Sequence, residues 1–227
     1  MAIAWDANSS SGAQGTSTSY SFNHTCTGSN LILFVGVAVR QGSFYNASAI
    51  TYNGVSMTKI RHDDNGAGNS RGSDLFYLLN PATGTNSIAV TISGSGGSFS
   101  NSDAHGVSFT GAQQSGVPDS QGGGGGTATS SPSKSTTTVA DNSWIVAMLC
   151  TGFDDGVATP TSPLVLSSKT AAVGSHTGAL GYQGPKTPAG AQASAWTTTS
   201  DSYCMSVASF APAVASTVKT LAALGVG

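Results

Sequence analysis

Residues 49–60, AITYNGVSMTKI, constrain the fold more than any other stretch of this chain. Ile50 and Tyr52 lead into Asn53-Gly54, and Val55, Met57 and Ile60 leave it. Asn-Gly is the pair that tolerates positive φ at both centres of a type I′ turn, so apolar alternation on either side of it predicts a β-hairpin. Further strand candidates occur at short spacing: TSYSFNH (18–24), LILFVGVAV (31–39), DLFYLLN (74–80), NSIAVTIS (86–93) and AHGVSFTG (104–111). The second half offers STTTVA, SWIVAMLCTG, PLVLSSKTA, TGALGYQ, AQASAWTTT and YCMSVASFAP. No stretch before residue 212 keeps a helical period for three turns.

Short strands without intervening helices predict an all-β fold of two packed antiparallel sheets, a sandwich of jelly-roll or lectin-like type, with a β-barrel second. Residues 1–213 are expected to form a single domain, with 116–135 (GVPDSQGGGGGTATSSPSKS) as a long Gly/Ser-rich loop inside it. The glycine run at 122–126 lacks the Lys and the strand-to-helix setting of a phosphate cradle, and flexible loop is the expectation. After Pro212 the pattern changes, and Val214, Val218, Leu221 and Leu224 fall at helical spacing. Residues 214–227 are therefore expected to be a short helix or docking arm whose four apolar residues make an assembly contact.

Only 8% of the 227 residues are charged, against about 25% in typical soluble domains, and 30 glycines with many Ser and Thr fill the gap. Eight Lys plus Arg and a net charge of −2 leave no basic stripe for phosphates, so nucleic acid is not an expected partner. The longest apolar run covers about half of the roughly 20 residues a membrane-spanning helix needs, which points to a buried strand and away from a membrane. MAIAWDANSSS has neither a basic n-region nor an apolar h-region, so export by a secretory signal is not expected. Low charge on a Gly/Ser/Thr-rich chain without such a leader suits a virion protein, made in the host cytoplasm and released by lysis. Cys26, Cys150 and Cys204, odd in number and far apart, fit buried free thiols better than a disulfide framework or zinc site.

Chemistry is sparsely written. His24, His62, His105 and His176 are scattered, none in a nucleophile motif, and GVSFTG does not have the spacing of a Gly-x-Ser-x-Gly elbow. All ten acidic residues are Asp, and none forms a patterned pair of the kind a glycosidase uses. Asp63-Asp64 and Asp154-Asp155 lie in Gly-rich stretches that read as solvated turns, without the spaced pattern of a calcium loop. No metal, cofactor or catalytic set is expected. Sugar binding asks for less, an exposed aromatic plate with polar neighbours. Trp144 and Trp196 sit in apolar strands and read as core, leaving Tyr45 as the plate and Asp63, Asp64, Asp154 and Asp155 as the glycan contacts of such a site.

Taken in order, SNLILFVGVAV, ITYNGVSMTKI, SDLFYLLNPATGTNSIAVTISG, GVSFTGAQQSGVPD, DNSWIVAMLCTG and YCMSVASFAPA resemble a recurrent β-sandwich domain of phage virion and bacterial surface proteins, over nearly all of the chain up to residue 213. The resemblance implies a lectin-like or jelly-roll sandwich on the outside of a particle and supplies no functional residues. The expected function is a non-enzymatic virion structural protein, a capsid decoration or head-associated protein, with other capsid or tail subunits and its own copies as partners. The alternative is a carbohydrate-binding tail-fibre protein or cell-surface adhesin that meets a host glycan.

Overall fold

The computed structural model describes residues 1–40, 44–66, 71–96, 99–152, 158–170 and 176–214. All regular elements among them are strands: β1 (Ala4–Ser10), β2 (Ser19–Cys26), β3 (Ile32–Arg40), β4 (Tyr45–Tyr52), β5 (Val55–Ser56), β6 (Thr58–Asp64), β7 (Arg71–Leu79), β8 (Gly84–Gly94), β9 (Asn101–Thr110), β10 (Ser120–Thr129), β11 (Ser133–Thr137), β12 (Ser143–Thr151), β13 (Thr159–Pro160), β14 (Val165–Lys169), β15 (Thr177–Lys186), β16 (Ala191–Thr197) and β17 (Asp201–Phe210). They form an antiparallel sandwich architecture, as the alternation predicts, but in four sheets instead of two.

The sheets stack in four layers. An outer sheet β2-β8-β4-β5 covers an inner sheet β1-β9-β3-β7-β6, which lies against a second inner sheet β10-β17-β12-β15-β14, itself faced by β11-β16-β13. This stacking explains the unbroken apolar runs. In β3, Leu33, Val35, Val37 and Val39 face the first outer sheet, while Ile32, Phe34 and Ala38 face the second inner sheet. In β12, Ile145, Ala147 and Leu149 pack outward against Trp196, and Val146, Met148 and Cys150 pack inward. A strand buried on both faces has no polar side to alternate with.

The two halves share one topology. Replacing β1, β9, β3, β7 and β6 by β10, β17, β12, β15 and β14 turns one inner sheet into the other, and β2-β8-β4 corresponds in the same way to β11-β16-β13. The packing between halves obeys the same exchange: β3 lies on β12, β7 on β17 as β15 on β9, and β6 on β10 as β14 on β1. Strand register aligns Phe109 with Phe210, since each sits opposite the first inward residue of its central strand, Ile32 and Trp144. Leu75 and Tyr77 align likewise with Leu180 and Tyr182. Phe109 and Phe210 meet with ring centroids 5.1 Å apart. Asn30 and Asn142 take positive φ, 48° and 63°, just before β3 and β12. The chain is thus a tandem of two like sandwiches packed back to back about a pseudo-twofold axis.

Two local expectations change. The Asn53-Gly54 turn forms, with φ of 49° and 77°, but the hairpin continues only to Thr51 opposite Ser56. At Met57, buried at the corner, the chain switches sheets, and β6 pairs with β7. The Gly/Ser-rich stretch 116–135 is not one loop, for its glycines form β10 and its end forms β11. A Cβ on Gly122 would strike the Ser135 carbonyl, on Gly123 the Asp63 and Arg61 side chains, on Gly125 the backbone of Asn65, and on Gly126 the Tyr203 ring. The run is bare because β6 of the first half, β11 and the Tyr203 ring crowd it. Gly123→Ala is predicted to lower stability by about 1–3 kcal/mol in urea unfolding, the usual cost of overpacking a closed interior.

Candidate functional site: a polar end between the inner sheets

The interface between the inner sheets is apolar at one end and polar at the other. At the apolar end lie Ile32, Phe34, Val107, Phe109 and Phe210, with Trp144 stacked on Tyr182 at 5.8 Å. At the polar end, period-two alternation on β9 turns Asp103 and His105 inward beside Val107 and Phe109. Asp103, His105, His176 and Cys150 are all closed to solvent. His176 Nε2 lies 3.5 Å from Asp103 Oδ2, and His105 Nε2 lies 3.5 Å from Asp103 Oδ1. His176 Nδ1 is 3.7 Å from Cys150 Sγ. Gly178 N donates to Asp103 Oδ2 at 3.2 Å, and a Cβ at Gly178 would collide with that carboxylate, so the glycine is what admits it. His105 Nδ1 is 2.9 Å from the Ser168 hydroxyl.

A second charged pair crosses the same boundary without copying the first, since the register equivalent of Asp103 is Cys204. Arg71 is the register equivalent of His176, and it crosses to the other half to face Asp201 at 3.8 Å, over Gly152, whose missing Cβ leaves room for both side chains. Between them, Asp63 is gripped by Arg61 and accepts from Ser206 Oγ at 2.6 Å. Three carboxylates, Asp103, Asp201 and Asp63, therefore join the first half to the second among the described residues.

Electrostatics follow from this enclosure. Burial works against a charged Asp103, yet the facing His176 and His105 hold its carboxyl below the usual range. Burial likewise disfavours His176⁺, but the Cys150 sulfur and Asp103 outweigh it and push the imidazole up to about 10. His24, on β2, shows the opposite balance. Its nitrogens meet Ser9 Oγ at 2.8 Å and Ser108 Oγ at 3.0 Å, and burial drives it down to about 4 with only Asp6 opposing. Burial also pushes the Cys204 thiol up. Cys, His and Asp stand in the order of a nucleophile, its base and an orienting acid, but all three are sealed. Chemically, the arrangement holds a buried charge pair.

The residues expected to contact glycan or assemble are distributed elsewhere. Tyr45 is half-buried, its ring 5.1 Å from Phe99. Asp63 and Asp64 belong to β6, not to a turn after it; Asp63 is buried, and Asp64, exposed, accepts from Gly66 N at 2.7 Å. Asp154, Asp155, Val218, Leu221 and Leu224 lie outside the described residues. Val214 is 82% exposed. Trp196 is core as expected, Trp144 is half-buried against the apolar cluster between the inner sheets, and the exposed tryptophan is Trp5 on β1. All three cysteines are buried and free, with Cys150 directly opposite Cys204. Asp103, His105 and His176 were unmarked by any motif; their signal was two ionisable residues on the inward parity of an otherwise apolar strand. No family model matches the chain, and neither the curated proteins nor the solved structures give a match.

Two outcomes are predicted. Asp103→Asn leaves the His176 proton without its counter-charge and should cost about 3–5 kcal/mol by chemical denaturation at neutral pH. Asp103→Asn with His176→Gln should cost less than the sum of the single variants, because the two groups act as one unit. The pH profile has two limbs. His24, depressed to about 4 from 6.5, contributes stability that is complete above pH 6.5 and lost as pH falls toward 4, so His24→Gln should flatten the acid limb. His176, raised from 6.5, contributes stability that is complete below pH 6.5 and lost as pH rises toward about 10, so His176→Gln should flatten the alkaline limb. Urea midpoints across both ranges check this; Asp103, depressed from 3.8, adds its loss only at lower pH.

Proposed function

We propose that this chain is a non-enzymatic structural protein of a phage particle, carried on the exterior as a capsid decoration or head-associated protein, and contacting capsid or tail subunits and its own copies. The observation that carries this reading is where the ionisable side chains are used. Asp103, His105, His176 and Cys150 are closed inside the stack and hold one sandwich to the other, which suits a rigid spacer. The low charge, the Ser/Thr-rich surface strands and the resemblance to virion β-sandwiches support the same reading. So does the apolar end of the molecule, where a cleft of about 440 Å³ is lined by Ile3, Trp144, Pro185 and Pro212, beside the exposed Val214. A cleft of this kind offers another subunit a place to seat an apolar side chain.

Mass spectrometry of purified virions of the phage encoding the chain is predicted to find it at structural-protein copy number, and antibody labelling to place it on the particle exterior. Virions that lack the chain would overturn the proposal.

A further inference from the structure

A second cluster of reactive groups lies within the first sandwich, where β4 of the outer sheet approaches the edge of the inner sheet. Lys59 Nζ on β6 is 3.0 Å from Asn46 Oδ1 on β4 and 3.0 Å from Asp74 Oδ1 on β7. The Asp74 side chain is fully buried, while that of Lys59 is 31% exposed, with its ammonium 5.2 Å from the centre of the Phe76 ring. Asp74 is fixed from two further directions, accepting from Ala47 N at 2.8 Å and facing His62 Nδ1 at 3.1 Å. The strand register shifts between Ala47 and Ala49 on β4, and between Lys59 and Arg61 on β6. Such bulges re-aim side chains. Here they flank the two residues that converge.

An amine, a carboxamide and a buried carboxylate in mutual contact are the parts of an amide exchange. We propose that Lys59 and Asn46 become joined by an intramolecular isopeptide bond, with Asp74 as the proton carrier. The amide carbon lies one C=O bond, about 1.2 Å, beyond the oxygen that Lys59 already touches. The reacting groups are therefore held near attack distance. Asp74 takes a proton from the Lys59 ammonium across their 3.0 Å contact. The freed lone pair attacks Asn46 Cγ, and the C=O π electrons move to Oδ1. As they return, the Cγ–Nδ2 bond breaks, and Asp74 delivers its proton to Nδ2. Nζ loses two protons in all; one completes ammonia and the other leaves with it as ammonium. One C–N bond forms, one breaks, and nothing is oxidised or reduced. The product ties the outer sheet to the inner sheet across the sheet-switching hairpin.

The test is the mass of the folded wild-type chain and of its tryptic peptides. Cleavage sites at Arg40, Lys59 and Arg61 bracket the pair. A linked Lys59 resists trypsin, so residues 41–61 should appear as one peptide lighter by one ammonia, about 17 Da. Lys59→Arg, which keeps the charge, Asn46→Ala and Asp74→Asn should each run at full sequence mass. A succinimide at Asn53-Gly54 also loses ammonia, but it survives in Lys59→Arg and leaves Lys59 cleavable. Wild-type protein at full sequence mass, or a deficit that persists in Lys59→Arg, would overturn the proposal. Because the wild-type peptide decides the matter alone, a variant that fails to fold does not.

Discussion

The closure of two sandwiches on each other depends on burying charge between them. Asp103 of the first half faces His176 of the second, and Arg71 of the first faces Asp201 of the second. Apolar burial supplies most of the attraction across this boundary, but it is non-directional and would tolerate sliding of one inner sheet over the other. Charges closed from water do not tolerate it, since a shift that separates Asp103 from His176 leaves both desolvated and unpaired. Gly178 and Gly152 are the complementary condition, for each charged pair occupies the space its missing Cβ leaves. The aromatic cluster around Phe109 and Phe210 holds the opposite end, so the two inner sheets are fixed at both extremities.

The two halves share one topology, and each meets the other's need for a cover. Each half alone would present an inner sheet with an apolar face, and each covers the other's. The inner faces carry Leu75 and Leu180, Tyr77 and Tyr182, and Phe109 and Phe210 at equivalent register, and Ser108 and Ser209 coincide on the outward parity.

Strand content was legible in the sequence because alternation and turn chemistry are local. The Asn53-Gly54 turn, the buried β3 and β12 and the three buried thiols could all be read directly. The four-layer arrangement could not, since a strand buried on both faces shows the same unbroken apolar run whether one more sheet lies beyond it or two. The glycine run was illegible for a related reason: a strand without side chains has no period. Asp63 was misplaced because Asp-Asp-Asn-Gly carries turn chemistry locally, and only the tertiary partners Arg61 and Ser206 reveal it as the buried end of a strand. Of the polar end, nothing was legible as a site, because Asp103, His105 and His176 come from distant strands that only the back-to-back packing brings together. Proximity of that kind leaves no spacing to find.

The two sandwiches form one cooperative body through their inner sheets, and native-state hydrogen exchange can decide this. The amides of β3 and β12 are expected to be the slowest, to exchange only by global unfolding, and to share one free energy and one denaturant dependence. Exchange of β12 and β17 amides through a separate opening, at lower free energy than β3 and β9, would show that the halves unfold independently and would contradict it.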